Sequence, residues 1–419
     1  MKFMRSMLAS AAILALPAFA ALSSSAHAAC SIEGSGEVNV ITNFFPTLEL
    51  LAKKMKECEH PGLKIETKLT TEMKTEIPRA FEAANSPFDG AAVANSSIVQ
   101  LQAKGQLMKL NDLVAKYKDK YKIEDQMLIR FGDDIMAVAF MANAQVLYFR
   151  KDLLEKHNIK VPTSYDEILA ACDILKKEEP SIDHCFSAAY GNSWELGNEF
   201  VDIFTAMGGQ LADPASSKPT FNNEAGAATL ELMKRLAAHM SPNALAIDFG
   251  GVKQEMQQGR TAMAFLWGDI AASMDDPNES KVVDKVGFAP APTAKPGGAP
   301  ATLFWWDGYV IPKNLDGDPD LTFQVMMEAS KADTVTENND ITLWLRSNYK
   351  PTKYAKAITD SVSANAPPFP MTPQVDLALL ALGENIGDAI AGKESSRQSL
   401  DDAAKSYTRA ATDAGYIKK

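Results

Sequence analysis

Five tryptophans, all between residues 194 and 344, suggest the chemistry this chain could do. Trp194, Trp267, Trp305, Trp306 and Trp344 each offer a flat indole face and one N–H donor. Sugar rings present C–H faces that stack on indole and hydroxyl edges that need hydrogen bonds. Aromatics beside neutral or acidic polar groups therefore suit a carbohydrate pocket. Such groups follow two of the indoles: Gly268-Asp269 comes after Trp267, and Asp307 after Trp306. Trp267 and Asp269 are expected contacts. Adjacent strand residues face opposite sides, so one of Trp305 and Trp306 should face a cleft while the other packs. Trp306 and Asp307 are taken as the facing residues, and Trp344 as packing between lobes.

Asparagine donates and accepts together, which suits hydroxyl groups. Asn43-Phe44, Asn95-Ser96, Asn143 and Gly191-Asn192-Ser193-Trp194 are placed where strands end and helices begin. That is where an open α/β sheet takes ligand. Asn and Ser are also ordinary turn and cap residues, a competing role that weighs most on Asn95 and Ser96. Asn143 differs, because it is polar within the apolar run VAFMANAQVLYF. Arg346, in LWLRSNYKPT, could grip a vicinal diol or an anion through paired hydrogen bonds, or bridge two lobes through a salt bridge. No G-x-S-x-G, H-E-x-x-H, G-x-x-x-x-G-K-S/T or G-x-G-x-x-G occurs, so no catalytic residue and no cofactor is assigned. A glycosidase-like pair of opposed carboxylates could still hide among the acidic residues.

The elements that must position these residues alternate. Residues 38–42 (VNVIT), 63–67 (LKIET) and 91–95 (AAVAN) read as strands. Residues 48–56, 77–84 and 99–103 read as helices, the last stopped by Gly105. This order argues for a parallel-rich α/β unit. The run 140–149 is expected to cross into a second unit, with its strand at 144–149 and a short helix over 151–157. Ser164 and Glu167 form an S-x-x-E capping box for a helix over 164–177. Helices at 197–207, 224–239 and 250–258 follow, the last closed by Gly259. Strands are expected at 261–266, 286–291 and 304–312, a helix at 320–329, and further helices at the C-terminus.

Residues 1–28 read as a secretory leader. Lys2 and Arg5 give the charged start, 7–21 the apolar stretch, and Ala26-His27-Ala28 the cleavage site. Its removal takes the formal charge from −11 to −13. An acidic chain without basic runs argues against nucleic acid and anionic membranes. About 390 remaining residues exceed what one core keeps enclosing, so two domains are expected. Four cysteines in an exported chain point to disulfides, and the local pairs Cys30–Cys58 and Cys172–Cys185 are favoured among three possible pairings. A metal site on Cys58, His60, His184 and Cys185 is the alternative.

The stretch LYFRKDLL, a short helix and then PTSYDEI, over 147–168, resembles the sugar-type solute-binding proteins of ABC importers. So do GQLMKLNDL at 105–113, FNNEA at 221–225 and GRTAM at 259–263. The resemblance covers nearly the whole mature chain. It implies an α/β, two-lobed periplasmic binding protein fold with a ligand cleft and three inter-lobe crossovers. One lobe would take 29–141 and 308–345, the other 146–300 and 349–419, with crossovers at 142–145, 301–307 and 346–348. In the maltose-binding pattern a ligand-contacting carboxylate stands nine residues before the Asp matching Asp152. Here that position is Asn143. The implied function is a periplasmic monomer that binds a sugar, oligosaccharide, glycoside or polyol and delivers it to permease subunits. An anionic sugar derivative is the alternative solute, and a secreted carbohydrate-active enzyme or lectin the alternative class.

Overall fold

A computed structural model of the protein describes residues 30–191 and 193–418. The leader, its cleavage site near Ala28, and Asn192 lie outside these residues. The chain begins with strand β1 (Gly36–Thr42), helix α1 (Pro46–Lys56), β2 (Leu63–Leu69), α2 (Met73–Glu82), β3 (Gly90–Ala94), α3 (Asn95–Ala103) and α4 (Asn111–Tyr121). A hairpin of β4 (Leu128–Phe131) and β5 (Asp134–Asn143) follows. After Ala144 come β6 (Gln145–Arg150), α5 (Lys151–Lys156), α6 (Tyr165–Glu178), β7 (His184–Ser187), α7 (Ser193–Ala206), α8 (Glu224–Ala237), α9 (Phe249–Gln257), β8 (Thr261–Trp267) and β9 (Val286–Ala289). The chain then returns through β10 (Trp305–Val310), α10 (Pro319–Ala329), α11 (Ala332–Glu337) and β11 (Leu343–Trp344). It ends in α12 (Lys356–Ser363), α13 (Val375–Asn385), α14 (Gly387–Ile390) and α15 (Ser396–Asp413).

The strands form two separate sheets. One has the order β11-β5-β10-β3-β1-β2, with β4 also on β5; the other is β7-β8-β6-β9. The first sheet is covered on both faces. Val38, Val40, Phe140 and Tyr309 pack under α1, α4 and α10. Ile41, Val93, Met136 and Val310 pack under α2 and α3. In the second sheet, Leu147, Phe149, Met263 and Phe265 face α6, α7, α8, α13 and α15, while Val146, Tyr148, Ala264 and Leu266 face α9 and α12. Burial on both faces explains why β5 and β6 read as continuous apolar runs without alternation.

Local signals act as their chemistry requires. Ser164 Oγ accepts from the Glu167 N–H, and the Glu167 carboxylate accepts from the Thr163 N–H, so the capping box closes one residue early. Gly259 ends α9 at φ +72°, a conformation that favours glycine. Gly197 lets α7 cross α13, because a Cβ there would lie 1.9 Å from the Leu379 carbonyl oxygen. Both local disulfides, Cys30–Cys58 and Cys172–Cys185, are present. They rule out the metal alternative, since both of its cysteines are taken. His60 and His184 have other partners, the Gly62 N–H and Glu255.

Two expectations need correction. The run 140–149 is not one crossing strand: β5 ends in the first sheet at Asn143 and β6 opens the second at Gln145. Trp344 does not pack between lobes. It is buried in the first unit's core and donates to the Asn338 carbonyl.

Helix α7 holds both early crossings through buried polar groups. Gln145 Nε2 donates to Glu199 at 2.8 Å, and Asn198 Nδ2 donates to Gln145 Oε1 at 2.8 Å and to Asp202 at 3.0 Å. The Leu303 N–H donates to Asp202 at 2.9 Å, and the Gln145 N–H to the Thr302 hydroxyl at 3.0 Å. Burial raises the Glu199 pKa to about 8, against the hydrogen bond from Gln145. Burial, then the Glu199 charge, pushes Asp202 well above its ordinary range.

A raised folded-state pKa means the native protein keeps a proton that the unfolded chain has released. Stability from Glu199 is therefore full below about pH 4.5 and lost as pH rises through about 8. The melting temperature of the unliganded protein is expected to fall from pH 5 to pH 9, and Glu199→Gln to flatten that slope. A wild-type melting temperature that holds or rises across this range would contradict the assignment.

Candidate functional site

The site is built where the two sheets present their edges to each other. Parallel strands β1, β2 and β3 end at one edge of the first sheet. Antiparallel β10 begins at that edge and β5 ends there, because Trp305 pairs with Asn143 and Asp307 with Ala94. Asn43-Phe44, Asn95-Ser96, Asn143 and Asp307 thus share one edge. In the second sheet β8, parallel to β7, ends at Trp267 and leads into Asp269. The first turn of α7 supplies Trp194.

Strand register decides which indole joins this group. Trp305 pairs with Asn143, and Asp307 lies two residues on, so Trp305, Asp307 and Asn143 share a face. Trp306 pairs with Ala142 and points the other way, half-buried between apolar clusters of both units. Trp306 and Asp307, expected together, are thus on opposite faces. The Trp305 ring lies 5.7 Å from both Trp194 and Trp267 and 4.1 Å from Phe369, and Phe249 lies 5.6 Å from Trp267.

Several polar groups here lack partners among the described residues. Asn95 and Ser96 are fully buried at the start of α3, and neither Asn95 Nδ2 nor Ser96 Oγ is hydrogen-bonded. The Trp305 indole N–H is also unpartnered. Asn143 Oδ1 accepts from the Ala144 N–H at 2.9 Å and the Asp269 N–H at 3.3 Å, which brings Asp269 to the strand edge. Asp269 is half-buried, and desolvation raises its pKa to about 6. Asp307 is raised to about 7, first by burial and then by the Asp269 charge.

Other expected residues fall at the rim or outside. Phe44 is 58% exposed, and its N–H donates to Asn43 Oδ1. Gly191 packs on the Ile247 backbone and opens on a separate hollow of 270 Å³ with Tyr190, Leu196, Leu245 and Asn385. Arg346 is not brought to the site. It is buried in the first unit, where it donates to the Tyr121 carbonyl at 2.7 Å and more weakly to that of Lys122.

Three residues that sequence reasoning missed join the two units directly. The Asp376 carboxylate, on α13, accepts from Lys74 Nζ at 3.3 Å, Gln100 Nε2 at 2.7 Å and Trp194 Nε1 at 3.3 Å. The Lys74 ammonium also sits 4.0 Å over the Trp194 ring. Lys74 follows the end of β2, a strand end comparable to those considered, so its position was the available signal. Asp376 carried none. Hydrogen bonds to a charged group contribute about 1.5–3 kcal/mol, less where solvent screens as it does at Lys74. Asp376→Ala is expected to shift the unliganded protein toward open lobes. Small-angle scattering should show a larger radius of gyration than the parent, and an unchanged profile would deny the contact a role in closure.

Residues 40–316 match the bacterial extracellular solute-binding protein family, and the chain belongs to that family. An uncharacterized ABC transporter extracellular-binding protein of Pyrococcus horikoshii is 25% identical over 247 residues, 58% of this chain and 57% of that protein. The chain thus spans little more than half the length of this relative. Among solved structures, an ABC transporter solute-binding protein from Agrobacterium radiobacter in complex with ribitol superposes with a TM-score of 0.76. It is 21% identical, over 90% of this chain and 99% of that one. A maltose-bound protein of T. maritima gives a TM-score of 0.75 at 20% identity, over 89% and 99%. The fold is therefore the two-lobed fold of periplasmic sugar-binding proteins. Among the described residues, no helix is long and apolar enough to cross a membrane.

Proposed function

We propose that this protein is the exported binding component of an ABC importer, taking a sugar or polyol between its lobes and delivering it to a membrane permease. One observation carries the reading. Asn95 Nδ2, Ser96 Oγ and the Trp305 N–H are buried donors without acceptors among the described residues, set beside two carboxyls and a wall of indoles. Leaving a buried polar group unpaired costs about 1–3 kcal/mol. A polyhydroxylated solute satisfies donors and acceptors together while its C–H faces rest on Trp305, Trp267 or Trp194. The relatives bound to ribitol and maltose support this class.

In this reading the lobes close on the solute about the three crossings, as the periplasmic binding proteins do as a class. The closed surface is what the permease meets, and the leader over 1–28 sends the chain to the periplasm. The test is a thermal-shift screen of the mature protein against sugars, glycosides, polyols and sugar acids, followed by calorimetry. One-to-one binding with the solute recovered unchanged is expected. Conversion of the bound sugar would instead make the protein an enzyme.

A further inference from the structure

The cleft shows what charge its solute should carry, an inference that rests on the reading above. Asp307 is nine-tenths buried and has no hydrogen-bond partner among the described residues. The Asp269 N–H donates to Asn143 Oδ1, and Asn143 shares its sheet face with Asp307, so Asp269 stands where its charge acts on Asp307. Among the described residues, no cation answers the two carboxyls. Lys74 is engaged by Asp376, and Arg346 is turned into the first unit's core. Two like charges in one desolvated site each hinder the other's ionisation. A proton relieves the pair, and so does a bound cation.

The protein itself shows how an amine is held at this junction. The Lys74 ammonium sits over the Trp194 indole with the Asp376 carboxylate beside it, an aromatic face and an acid acting together. Asp307 lies two residues from Trp305 on the same face of β10, and Asp269 two residues beyond Trp267, so acids and indoles again stand near one another at the cleft. We propose that the solute carries an ammonium on a polyhydroxylated skeleton, as an amino sugar or amino polyol does, with the ammonium between Asp307 and Asp269. Its hydroxyl oxygens then meet Asn95 Nδ2, Ser96 Oγ and the Trp305 N–H. Asp307 and Asp269 select for charge, and the indoles select for shape.

The experiment is calorimetry of the full mature chain against pentitols, hexitols, hexoses and disaccharides. Each is paired with its amino-substituted counterpart, for example D-glucitol with 1-amino-1-deoxy-D-glucitol and D-glucose with D-glucosamine, and with its acid. The tightest ligand is expected to be an amine, about ten- to a hundred-fold tighter than its neutral partner. Asp307→Asn, and separately Asp269→Asn, should collapse that ratio, with melting curves confirming that each variant is folded. If a neutral or acidic member binds best and its amine gains nothing, the inference is overturned while the sugar-binding reading stands. If folded Asn variants keep the amine preference, the carboxyls do not set it and the inference also falls. Binding by no member of the panel counts against both.

Discussion

Replacing Trp305 with alanine is expected to lower the stability of the unliganded protein by about 3–5 kcal/mol, the usual cost of emptying a large aromatic site. The ring is 5% exposed and touches Trp194, Trp267 and Phe369, which come from three different segments. No neighbour is free to fill the space, because Trp194 is tied to Asp376 and the Trp267 backbone is fixed in β8. At roughly 2–4 °C per kcal/mol for a domain of this size, the melting temperature should drop by roughly 6–20 °C. The protein that remains folded should also bind sugar more weakly, since the lost N–H is one of the unpaired donors. Trp306→Ala is expected to spare affinity, because that ring lies on the opposite face of β10. Melting curves without ligand, set beside calorimetry, separate the two variants. A normal melting temperature for Trp305→Ala, with affinity lost only in Trp306→Ala, would reverse the assignment of the two rings.

The second large effect concerns the Cys172–Cys185 bridge. It closes a short loop, its cysteines 13 positions apart in the chain, and both are buried in the second unit's core. The chain-entropy account gives about 3 kcal/mol for a loop of this size. The double variant Cys172→Ala, Cys185→Ala is expected to lose about 2–4 kcal/mol, the typical worth of a native disulfide. Reduction should cost the parent this loss on top of whatever Cys30–Cys58 contributes, and cost the double variant only the Cys30–Cys58 part. Equal melting temperatures for oxidised parent and double variant would show that packing alone holds α6 to β7.

Much of the architecture was legible because it is encoded locally. The Ser164 cap, the Gly259 stop and the alternation of strand and helix depend on neighbours within a few residues. The disulfides were legible for the same reason, each joining cysteines in consecutive stretches. Asn143 was visible as a polar residue in an apolar run, and the structure places it where β5 leaves the first sheet. The contact between Lys74 and Asp376 was not legible, because 302 residues separate them and each alone is an ordinary surface charge. Strand alternation requires Trp305 and Trp306 to face apart, but the side each one takes follows from pairing with β5, which no local pattern specifies. Arg346 was misplaced for a related reason. Its carbonyl partners at Tyr121 and Lys122 close the end of α4, far away in the chain.

The two disulfides divide the covalent reinforcement in an uneven way. Cys30–Cys58 pins the first described residue to the end of α1, and Cys172–Cys185 pins α6 to β7. Each staple begins and ends within one half, and neither spans the joint. Oxidation of the cysteines thus hardens the two jaws and leaves the angle between them free. That angle answers to bonds that break and re-form easily: one carboxylate at Asp376, and the side-chain amides and buried acids around Gln145. A reductant should therefore soften the halves before it alters how far they open. Any partner that reads the closed shape would be reading only the exchangeable part of the molecule.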